Sequence, residues 1–461
     1  MRINPIKINI ISNKKEETRT NRLYCSDTVS FKSHIDMYGR LPDDFDINNI
    51  KELSSTTPGI LESIDTGYLA QIFKYKPANS PKVYAIKKIW PENLAKHVSA
   101  DPVKQLQTEA KVYQMLGNQP NTPKFYTYNG DFSGTKDSLA NNYIVMEWVD
   151  GVQISKNGTY YDLSRIDKSK LKKIYKLLHE FDVKGIFHND LWAGNLLFTK
   201  NDVNIIDFNR ASFFNPILNH KSTNLDSFKE RFLLRYFSDV YQKKGQDELI
   251  DVYKYTMDLE ISSLKNRARF LKSNSNYQGA EELETYAKHL TLLKNNQNLL
   301  KEHIFKEIYE SDLRCGKIYA KYFEFEDDEA IESFKRSRDI SQNYPEILDK
   351  NNSISSNLQI IKTFKNAMNY AKESRFKESL KSFEMVKQKL SDQNIYPVTE
   401  RDEVYYQKFS RFCDININFL NAMINGSKQD VQIILDDNEQ FFKETKRILS
   451  YFYTLKAIAS E

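Results

Sequence analysis

The 461 residues include 40% hydrophobic and 13% aromatic side chains, which excludes a chain disordered throughout and predicts two or three domains with real cores. The 67 Lys and Arg residues exceed the 62 Asp and Glu residues by five charges, an excess too dilute for the basic face of a nucleic-acid-binding protein. No apolar run reaches the ~18 residues that a membrane-spanning helix needs, so we expect no membrane span.

Residues 1–57 are polar and rich in Lys, Asp, Ser and Thr, with few periodic apolar positions. The first 11 residues lack the apolar core and the small-residue cleavage site of a secretory signal peptide. We interpret residues 1–57 as a loosely ordered leader. An export leader for a specialised bacterial secretion machine has the same composition, so both interpretations stay open.

Residues 60 to 207 mix short β-like runs with a few helices, whereas strand signals vanish after about residue 224. In the first region we predict strands at 69–75, 83–90, 143–148, 196–199 and 203–206 and helices at 102–116 and 169–181. In the second region we predict helices at 225–242, 247–271, 279–309, 327–340, 358–373, 376–390, 401–424 and 428–458. This order predicts an α+β unit followed by an all-α region.

Two of the late helical stretches share a small–aromatic–small pattern at steps of four and three, and the second copy begins 49 residues after the first. The pattern resembles the second helix of a tetratricopeptide unit, although the repeat is longer than the usual ~34 residues. An irregular helical bundle explains it equally well, so a solenoid and a bundle both stay open. The pattern consists of Ala330, Phe334 and Ser337 in the first stretch and of Ser379, Phe383 and Val386 in the second.

The segment FHNDLWAGNLLF, residues 187–198, carries the strongest chemical signal. In it Asp190 precedes Asn195 by five positions, and Asp207 follows twelve residues after Asn195, behind a predicted buried strand. A carboxylate that faces a hydroxyl, with an Asn and an Asp that offer hard oxygens to Mg²⁺, suits phosphoryl transfer. The segment resembles the loops H-x-D-x-x-x-x-N and D-F of the protein kinase-like superfamily. We interpret His188 as a structural residue, hydrogen-bonded to the backbone behind the loop, rather than as a general base.

The resemblance extends upstream, where VYAIK at 83–87 is similar to the family's V-A-I-K strand. It implies that Lys87 reaches the α- and β-phosphates of ATP and that Glu109, 22 residues later in a predicted helix, pairs with Lys87. Residues 144–151 resemble the hinge between the lobes, with Met146 as the gatekeeper. The resemblance also implies adenine contacts from Ala85, from backbone groups of Glu147 and Val149, and from Leu197.

The motifs occur in the family's order over residues 60 to 215, which implies ATP and Mg²⁺ as cofactors. Asn195 and Asp207 would hold Mg²⁺, and Asp190 would align the acceptor hydroxyl. The implied fold is an α+β bilobal protein kinase-like fold, followed by an all-α helical region that an α-solenoid would fit. We predict a leader (1–57), an N-lobe with the hinge (58–150), a C-lobe with a shortened activation segment (151–270) and an all-helical interaction region (271–461).

The sequence departs from the family's pattern at several positions. Asp65, Gly67 and Ala70 stand where three glycines are expected, so Gly67 alone permits close backbone approach to phosphate. Asn189 replaces the Arg that holds a phosphorylated activation loop, and no A-P-E follows, so we do not expect activation by loop phosphorylation. Trp192 stands where kinases acting on Ser or Thr carry Lys, so a charge that steadies the γ-phosphate is missing.

Three functions fit these motifs. The first is a constitutively assembled atypical Ser/Thr protein kinase, similar to the compact effector kinases that bacteria inject into host cells and that share an H-N-D-L loop. The second is a small-molecule kinase of the aminoglycoside or fructosamine phosphotransferase type, which residues 190–195 resemble closely. The close spacing of residues 178 and 188 favours the first, since phosphotransferases commonly insert substrate-binding helices there. The third is a pseudokinase scaffold, which is disfavoured because Lys87, Asp190, Asn195 and Asp207 are all present.

We expect a protein substrate, with a small-molecule acceptor as the alternative, and a protein partner for the helical region. Cys25, Cys315 and Cys413 are odd in number and far apart, which argues against a disulfide framework and a CxxC-type zinc site. They predict a reducing compartment. That compartment is the cytoplasm, or the interior of a host cell reached without a Sec signal peptide.

Overall fold

The chain folds into a β-sheet lobe and a helical lobe, followed by further helices. The computed structural model thus confirms the predicted α+β bilobal unit and the all-α region. The predicted leader, 1–57, lies outside the described residues except for the strand Ile35–Asp36. The structure describes residues 35–36, 60–66, 70–76, 81–89, 101–117, 119–130, 142–154, 161–219, 224–321, 327–344, 353–391, 400–444 and 448–460.

Antiparallel strands form the sheet of the upper lobe. They are β1 (Ile35–Asp36), β2 (Ile60–Thr66), β3 (Ala70–Lys76), β4 (Tyr84–Ile89), β5 (Phe125–Asn129) and β6 (Tyr143–Glu147). Their spatial order is β1-β5-β6-β4-β3-β2. Tyr84 and Ile86 pack in a small core on the outer face, whereas Ala85 belongs to the main core on the opposite face. Because side chains alternate along a strand, Lys87 lies on the same face as Ala85.

Two capped helices support the sheet and the lower lobe. They are α1 (Pro102–Leu116) and α2 (Lys168–Lys184). Each begins behind an aspartate, Asp101 or Asp167, whose carboxylate accepts a backbone N–H of the first turn. The second helix ends at Gly185, where φ is +69° and a Cβ would meet the Phe214 carbonyl oxygen at 2.3 Å. Glycine is therefore required there, and the chain turns directly into the strand before residue 188.

The lower lobe carries short strands in two antiparallel ribbons. They are β7 (Ile186–Phe187), β8 (Leu196–Phe198), β9 (Val203–Ile205) and β10 (Ser212–Phe213). Strand β8 pairs with β9, and the sequence predicts both of these strands. Strand β7 pairs with β10, a ribbon that the sequence does not reveal. The β8–β9 hairpin brings Asn195, directly before β8, and Asp207, just after β9, to the same end of the ribbon.

The remaining elements are helical. They are α3 (Asn224–Phe228), a π-helical turn (Lys229–Leu233), α4 (Leu234–Lys244), α5 (Gln246–Ser273), α6 (Tyr277–Asn295), α7 (Gln297–Lys321), α8 (Asp327–Asn343), α9 (Ser353–Lys372), α10 (Phe376–Leu390), α11 (Glu400–Asn425), α12 (Lys428–Glu444) and α13 (Leu449–Ser460). In the part of the chain that the structure describes, no helix combines the length and apolar character that crossing a bilayer would require.

Two predicted single helices are wrong. Residues 279–309 contain most of α6 and the first half of α7. The two helices are separated at Asn296, whose backbone is extended and whose side-chain oxygen accepts the Leu299 N–H at 3.2 Å. An asparagine that bonds the backbone in this way ends one helix and caps the next. Residues 428–458 likewise form two helices, α12 and α13, and residues 445–447 between them lie outside the described residues. The predicted helix 225–242 is interrupted by the π-helical turn.

Two large hydrophobic cores follow one another along the chain. The first contains residues from Ala85 to Ile361, and the second contains residues from Ile360 to Leu455. All six positions of the small–aromatic–small pattern are fully buried. Close packing of α7 against α8 uses Gly316, where a Cβ would meet the Phe334 ring at 2.9 Å. The solenoid and the domain boundaries at 57, 150 and 270 stay predictions.

A buried ion pair joins the lower lobe to the helices that follow it. Arg336 of α8 donates to Asp312 of α7 at 3.0 Å, and both side chains are almost fully buried. The Ser238 hydroxyl of α4 donates to the other oxygen of Asp312 at 2.5 Å. Three helices therefore meet at the Asp312 carboxylate. If one of them shifted, a buried charge would become exposed to water or would lose its partner.

We expect Arg336→Met to lower the free energy of unfolding by about 3–5 kcal/mol, because it leaves Asp312 buried without its countercharge. Urea unfolding followed by circular dichroism measures this loss. Lys272→Met is the control, because it removes one partner of the exposed Lys272–Glu284 pair and should leave the unfolding midpoint unchanged. Equal stability of the Arg336→Met and wild-type chains would contradict a stabilising role for this pair.

Candidate active site

A lysine and two carboxylates converge in the cleft between the lobes. Lys87 of β4 donates to Glu109 of α1 at 2.7 Å and to Asp207 at 2.5 Å. The side chains of Lys87 and Glu109 are buried, and that of Asp207 is partly buried. The structure thus brings together three of the predicted site residues, which are separated by 22 and 120 positions from Lys87 along the chain.

The protonation states of Lys87, Glu109 and Asp207 depend on one another. Burial alone would lower the pKa of Lys87, but the carboxylates of Asp207 and Glu109 outweigh it and raise the pKa above its ordinary value. Burial raises the pKa of Glu109, against the opposing charge of Lys87. Burial also acts to raise the pKa of Asp207, yet Lys87 prevails and holds it below the ordinary value. Lys87 is therefore a permanent cation, and Asp207 is an anion at neutral pH.

The hinge and the strand beneath it form the back of the cleft. Ala85 is buried on β4, Leu197 is partly buried on β8, and a Cβ at Gly151 would touch the Leu197 side chain at 3.0 Å. The Glu147 N–H is already bonded to the Lys124 carbonyl at 2.8 Å. The Val149 carbonyl accepts the Gly151 N–H at 2.9 Å. Gly67 lies outside the described residues.

Hydrogen bonds fix the conformation of the predicted catalytic loop, residues 188–195. The Asn195 side-chain amide donates to the Asp190 carbonyl at 2.8 Å and lies 3.3 Å from the Asp190 carboxylate. Because the amide nitrogen is used in this way, the Asn195 side-chain oxygen remains as the acceptor that a cation can approach. The Ile206 N–H donates to the Asn195 carbonyl at 3.1 Å, which ties the residue before Asp207 to the same loop.

These oxygens fit a magnesium ion. Asp207 supplies an ionised carboxylate and Asn195 an amide oxygen, the hard ligands that Mg²⁺ prefers. Among the described residues no group of three or more His, Cys, Asp or Glu side chains would hold a metal ion without other ligands. That donor set suits an ion that completes its coordination with nucleotide phosphates and water.

A buried aromatic column connects the two lobes behind the site. Tyr113 of α1 stacks on Phe125 of β5, with ring centroids 5.8 Å apart, and meets Phe208 edge-on at 5.2 Å. Phe208 in turn packs against the His188 ring at 4.7 Å. The Tyr113 hydroxyl also donates to the Met146 sulfur at 3.6 Å, which places the predicted gatekeeper beside the column.

His188 has the structural role that the sequence predicts. Its ring is fully buried, its Nε2 bonds the Ile206 carbonyl at 3.1 Å, and its Nδ1 accepts the Asp190 N–H at 3.3 Å. This pattern requires the neutral tautomer with the proton on Nε2. Burial lowers the pKa of His188, which favours the same neutral form.

Neutral hydrogen bonds hold the short segment after Asp207. The Asn189 amide, at a residue with φ of +64°, donates to the Arg210 carbonyl and to the Ser212 hydroxyl, each at 2.9 Å. Ser212 begins β10, which is paired with β7 directly before the catalytic loop. The segment is therefore anchored to the loop without any phosphate group.

Sequence reasoning misses one charged contact of this site. Arg231, in the π-helical turn, donates to the Asp190 carboxylate at 3.1 Å. It lies 41 positions from Asp190, and no motif marks it. Helical periodicity places Arg231 on an exposed face, so the contact with Asp190 is visible only in the folded structure.

A family model described as "Protein kinase domain" matches residues 60–310, which is more than half of the 461 residues. The matched span runs from β2 into α7 and contains all of the site described above. No curated protein matches the chain.

We expect Lys87→Met to destabilise the chain more at pH 8 than at pH 5. Without Lys87 the buried carboxyls of Glu109 and Asp207 both acquire raised pKa values, so the folded chain binds more protons than the unfolded chain. Stability then falls as the pH rises from the unfolded pKa, near 4.5 for Glu109, through the raised folded values. The loss at pH 8 should be about 3 kcal/mol.

Thermal unfolding at pH 5, 6.5 and 8 measures this dependence. The double variant Lys87→Met/Glu109→Gln is the matched control, since it removes one of the two titrating carboxyls and should flatten the slope. A cost that does not change with pH would show that the pairing does not control these protonation states.

Proposed function

The chain belongs to the protein kinase family, and on that premise we propose that it is an active, atypical Ser/Thr protein kinase that transfers the ATP γ-phosphoryl group to a protein hydroxyl. The observation that carries the proposal is the contact of Lys87 with both Glu109 and Asp207. A pseudokinase that has drifted from activity has no need to keep all three groups in contact. The pair between Lys87 and Glu109 is also what orients a lysine toward phosphates in this family.

Each site residue has a proposed role in nucleotide binding. Lys87 would bind the α- and β-phosphates while Glu109 fixes it, and Gly67 would permit close approach of the phosphate loop. Ala85 and Leu197 would enclose the adenine from opposite lobes. Since the Glu147 N–H and the Val149 carbonyl are already bonded, we propose that adenine contacts the Glu147 carbonyl and the Val149 N–H.

Asn195 and Asp207 would hold Mg²⁺, which supplies charge neutralisation at the β- and γ-phosphates when it is bound. Asp190 would accept a hydrogen bond from the acceptor hydroxyl and aim it at phosphorus. Asn195 would keep Asp190 oriented through its bond to the Asp190 carbonyl. Positioning and charge stabilisation supply most of the rate in this chemistry.

A small-molecule acceptor is the second candidate function, and one observation favours it. Trp192 stands two residues after Asp190, is 48% exposed and covers Gly194, where a Cβ would meet the ring at 2.3 Å. A flat apolar surface beside the catalytic carboxylate suits a planar or sugar-like acceptor. Against it, Gly185 alone separates α2 from β7, which leaves no inserted substrate-binding helix.

Helices α10 to α13 pack with α9 in a second hydrophobic core, and α9 also contributes to the core that holds the active site. We propose that they bind a protein partner. The cytoplasm, or a host cell reached without a Sec signal, remains the proposed location.

We expect Asp190→Asn to retain Mg-ATP binding and lose phosphoryl transfer, and Asp207→Ala to lose Mg-ATP binding itself. γ-labelled Mg-ATP is offered with lysate protein and, separately, with a pool of small molecules, while thermal shift reports nucleotide binding. Asp251→Asn, at an exposed pair with Lys168, is the control and should behave as wild type.

Label in protein supports the proposed kinase, and label confined to small molecules supports the second candidate. If the wild-type chain transfers no label and gains no thermal stability from Mg-ATP, the scaffold interpretation replaces both. If Asp190→Asn transfers at the wild-type rate, Asp190 does not have the proposed role.

We expect transfer to be independent of activation-segment phosphorylation, because Asn189 already anchors this segment by neutral bonds. Phosphatase treatment of the purified chain and Ser212→Ala should each change the rate less than about twofold, whereas Asn189→Ala should lower it about tenfold. Initial rates on the same acceptor measure these effects. A rate that collapses after phosphatase treatment would show that a phosphorylated residue is required.

A further inference from the structure

The π-helical turn, Lys229–Leu233, lies directly beside the catalytic loop. It carries Arg231, whose Nη1 donates to the Asp190 carboxylate at 3.1 Å. The Arg231 side chain is 50% exposed, whereas that of Asp190 is 16% exposed. Single π-helical turns within α-helices are rare and frequently lie at functional sites.

The backbone of this turn is firmly held. Phe228 and Phe232, one before the turn and one within it, are fully buried and stack with ring centroids 4.9 Å apart. Lys229 donates to Glu307 of α7 at 2.8 Å, and the Tyr253 hydroxyl donates to the other Glu307 oxygen at 2.5 Å. Because the backbone is fixed and the guanidinium is exposed, only the side chain of Arg231 can move, and it stays close to Asp190.

The catalytic loop itself, residues 188–195, contains no Lys or Arg. Trp192 stands two residues after Asp190, where the related kinases that act on Ser or Thr carry Lys, and its ring folds back over Gly194. Lys87 is occupied by Glu109 and Asp207 deeper in the cleft. Arg231 is therefore placed where a positive charge is needed and where the catalytic loop itself supplies none.

We propose that Arg231 is a catalytic residue that binds the γ-phosphoryl group during its transfer, in place of the catalytic-loop lysine. In the reaction the bond between the γ-phosphorus and the β–γ bridging oxygen breaks, and a bond from the acceptor oxygen to that phosphorus forms. The acceptor proton passes to Asp190, and ADP leaves. Arg231 keeps its protons and donates hydrogen bonds to a non-bridging oxygen of the phosphoryl group, as an arginine supplied in cis does in other phosphoryl transfers.

This role rests on the proposed phosphotransferase function but not on the identity of the acceptor. Transfer to water uses the same phosphoryl group and the same charge stabilisation, so ATP hydrolysis reports on Arg231 without a protein substrate. Transfer to a degenerate Ser/Thr peptide library, measured in parallel, reports on the proposed acceptor class.

We expect Arg231→Ala to lower kcat for phosphate release and for peptide transfer by about 100-fold or more, with KM for ATP changed less than about threefold. Arg231→Lys should recover part of this loss because it keeps the charge but not the forked donors. Added guanidinium should restore part of the activity of Arg231→Ala and none of that of Asp190→Asn. Arg314→Ala is the matched control, since Arg314 is also 50% exposed and lies near Glu230, adjacent to Arg231.

Several results would overturn the inference. Unchanged kcat in Arg231→Ala would show that the contact with Asp190 has no part in transfer, and a raised kcat would show that Arg231 blocks the acceptor site. Failure of guanidinium to restore any activity would make the loss structural. A wild-type chain that releases phosphate but labels no peptide would contradict the protein-kinase proposal alone, and the hydrolysis rates of the variants would still decide the role of Arg231. A wild-type chain that neither labels peptide nor releases phosphate would overturn both.

Discussion

The contact of Lys87 with Glu109 and Asp207 is the interaction on which the active site depends. A buried ion is costly unless it is paired, so each of the three groups makes the burial of the other two tolerable. They come from a strand, a helix and the loop after β9, and the contact therefore holds the two lobes in one relative position. If Asp207 were engaged by a metal ion as proposed, the bond from Lys87 to Glu109 would still hold the lysine in the cleft.

Contacts between uncharged groups, behind and below the Lys87 ion pairs, also keep the two lobes aligned. The column of Phe125, Tyr113, Phe208 and His188 crosses from the sheet to the catalytic loop through buried rings. The Asn189 amide holds the short segment that follows. Neither device contains a group that changes charge at neutral pH, since burial keeps His188 neutral. Packing and neutral hydrogen bonds thus hold the site together, which is what we expect of the proposed kinase if it is active as soon as it folds.

The site residues that could be predicted from the sequence are those that lie in short sequence motifs. Asp190 and Asn195 lie in one segment, and Lys87 and Asp207 each lie in a recognisable strand context, so their resemblance to the family's motifs was enough to select them. Arg231 and Tyr113 carry no such signal, because a surface arginine and a core tyrosine occur on most helices. The ribbon of β7 and β10 has two residues per strand, too few to show a period. The end of α6 at Asn296 depends on a hydrogen bond from the backbone to the Asn296 side chain. The spacing of apolar residues does not reveal such a bond.

Helix α7 links the active site to the helices beyond it. Its Glu307 binds Lys229, two residues before Arg231, and its Asp312, five residues later, binds Arg336 of α8. Both contacts are ion pairs, and one continuous helix connects them; the Arg336–Asp312 pair is buried and the Lys229–Glu307 pair is partly buried. A movement of α8 would therefore reach the turn that carries Arg231 through one continuous helix rather than through a loop. Two ion pairs and one helix therefore connect α8 to the turn whose Arg231 contacts the Asp190 carboxylate.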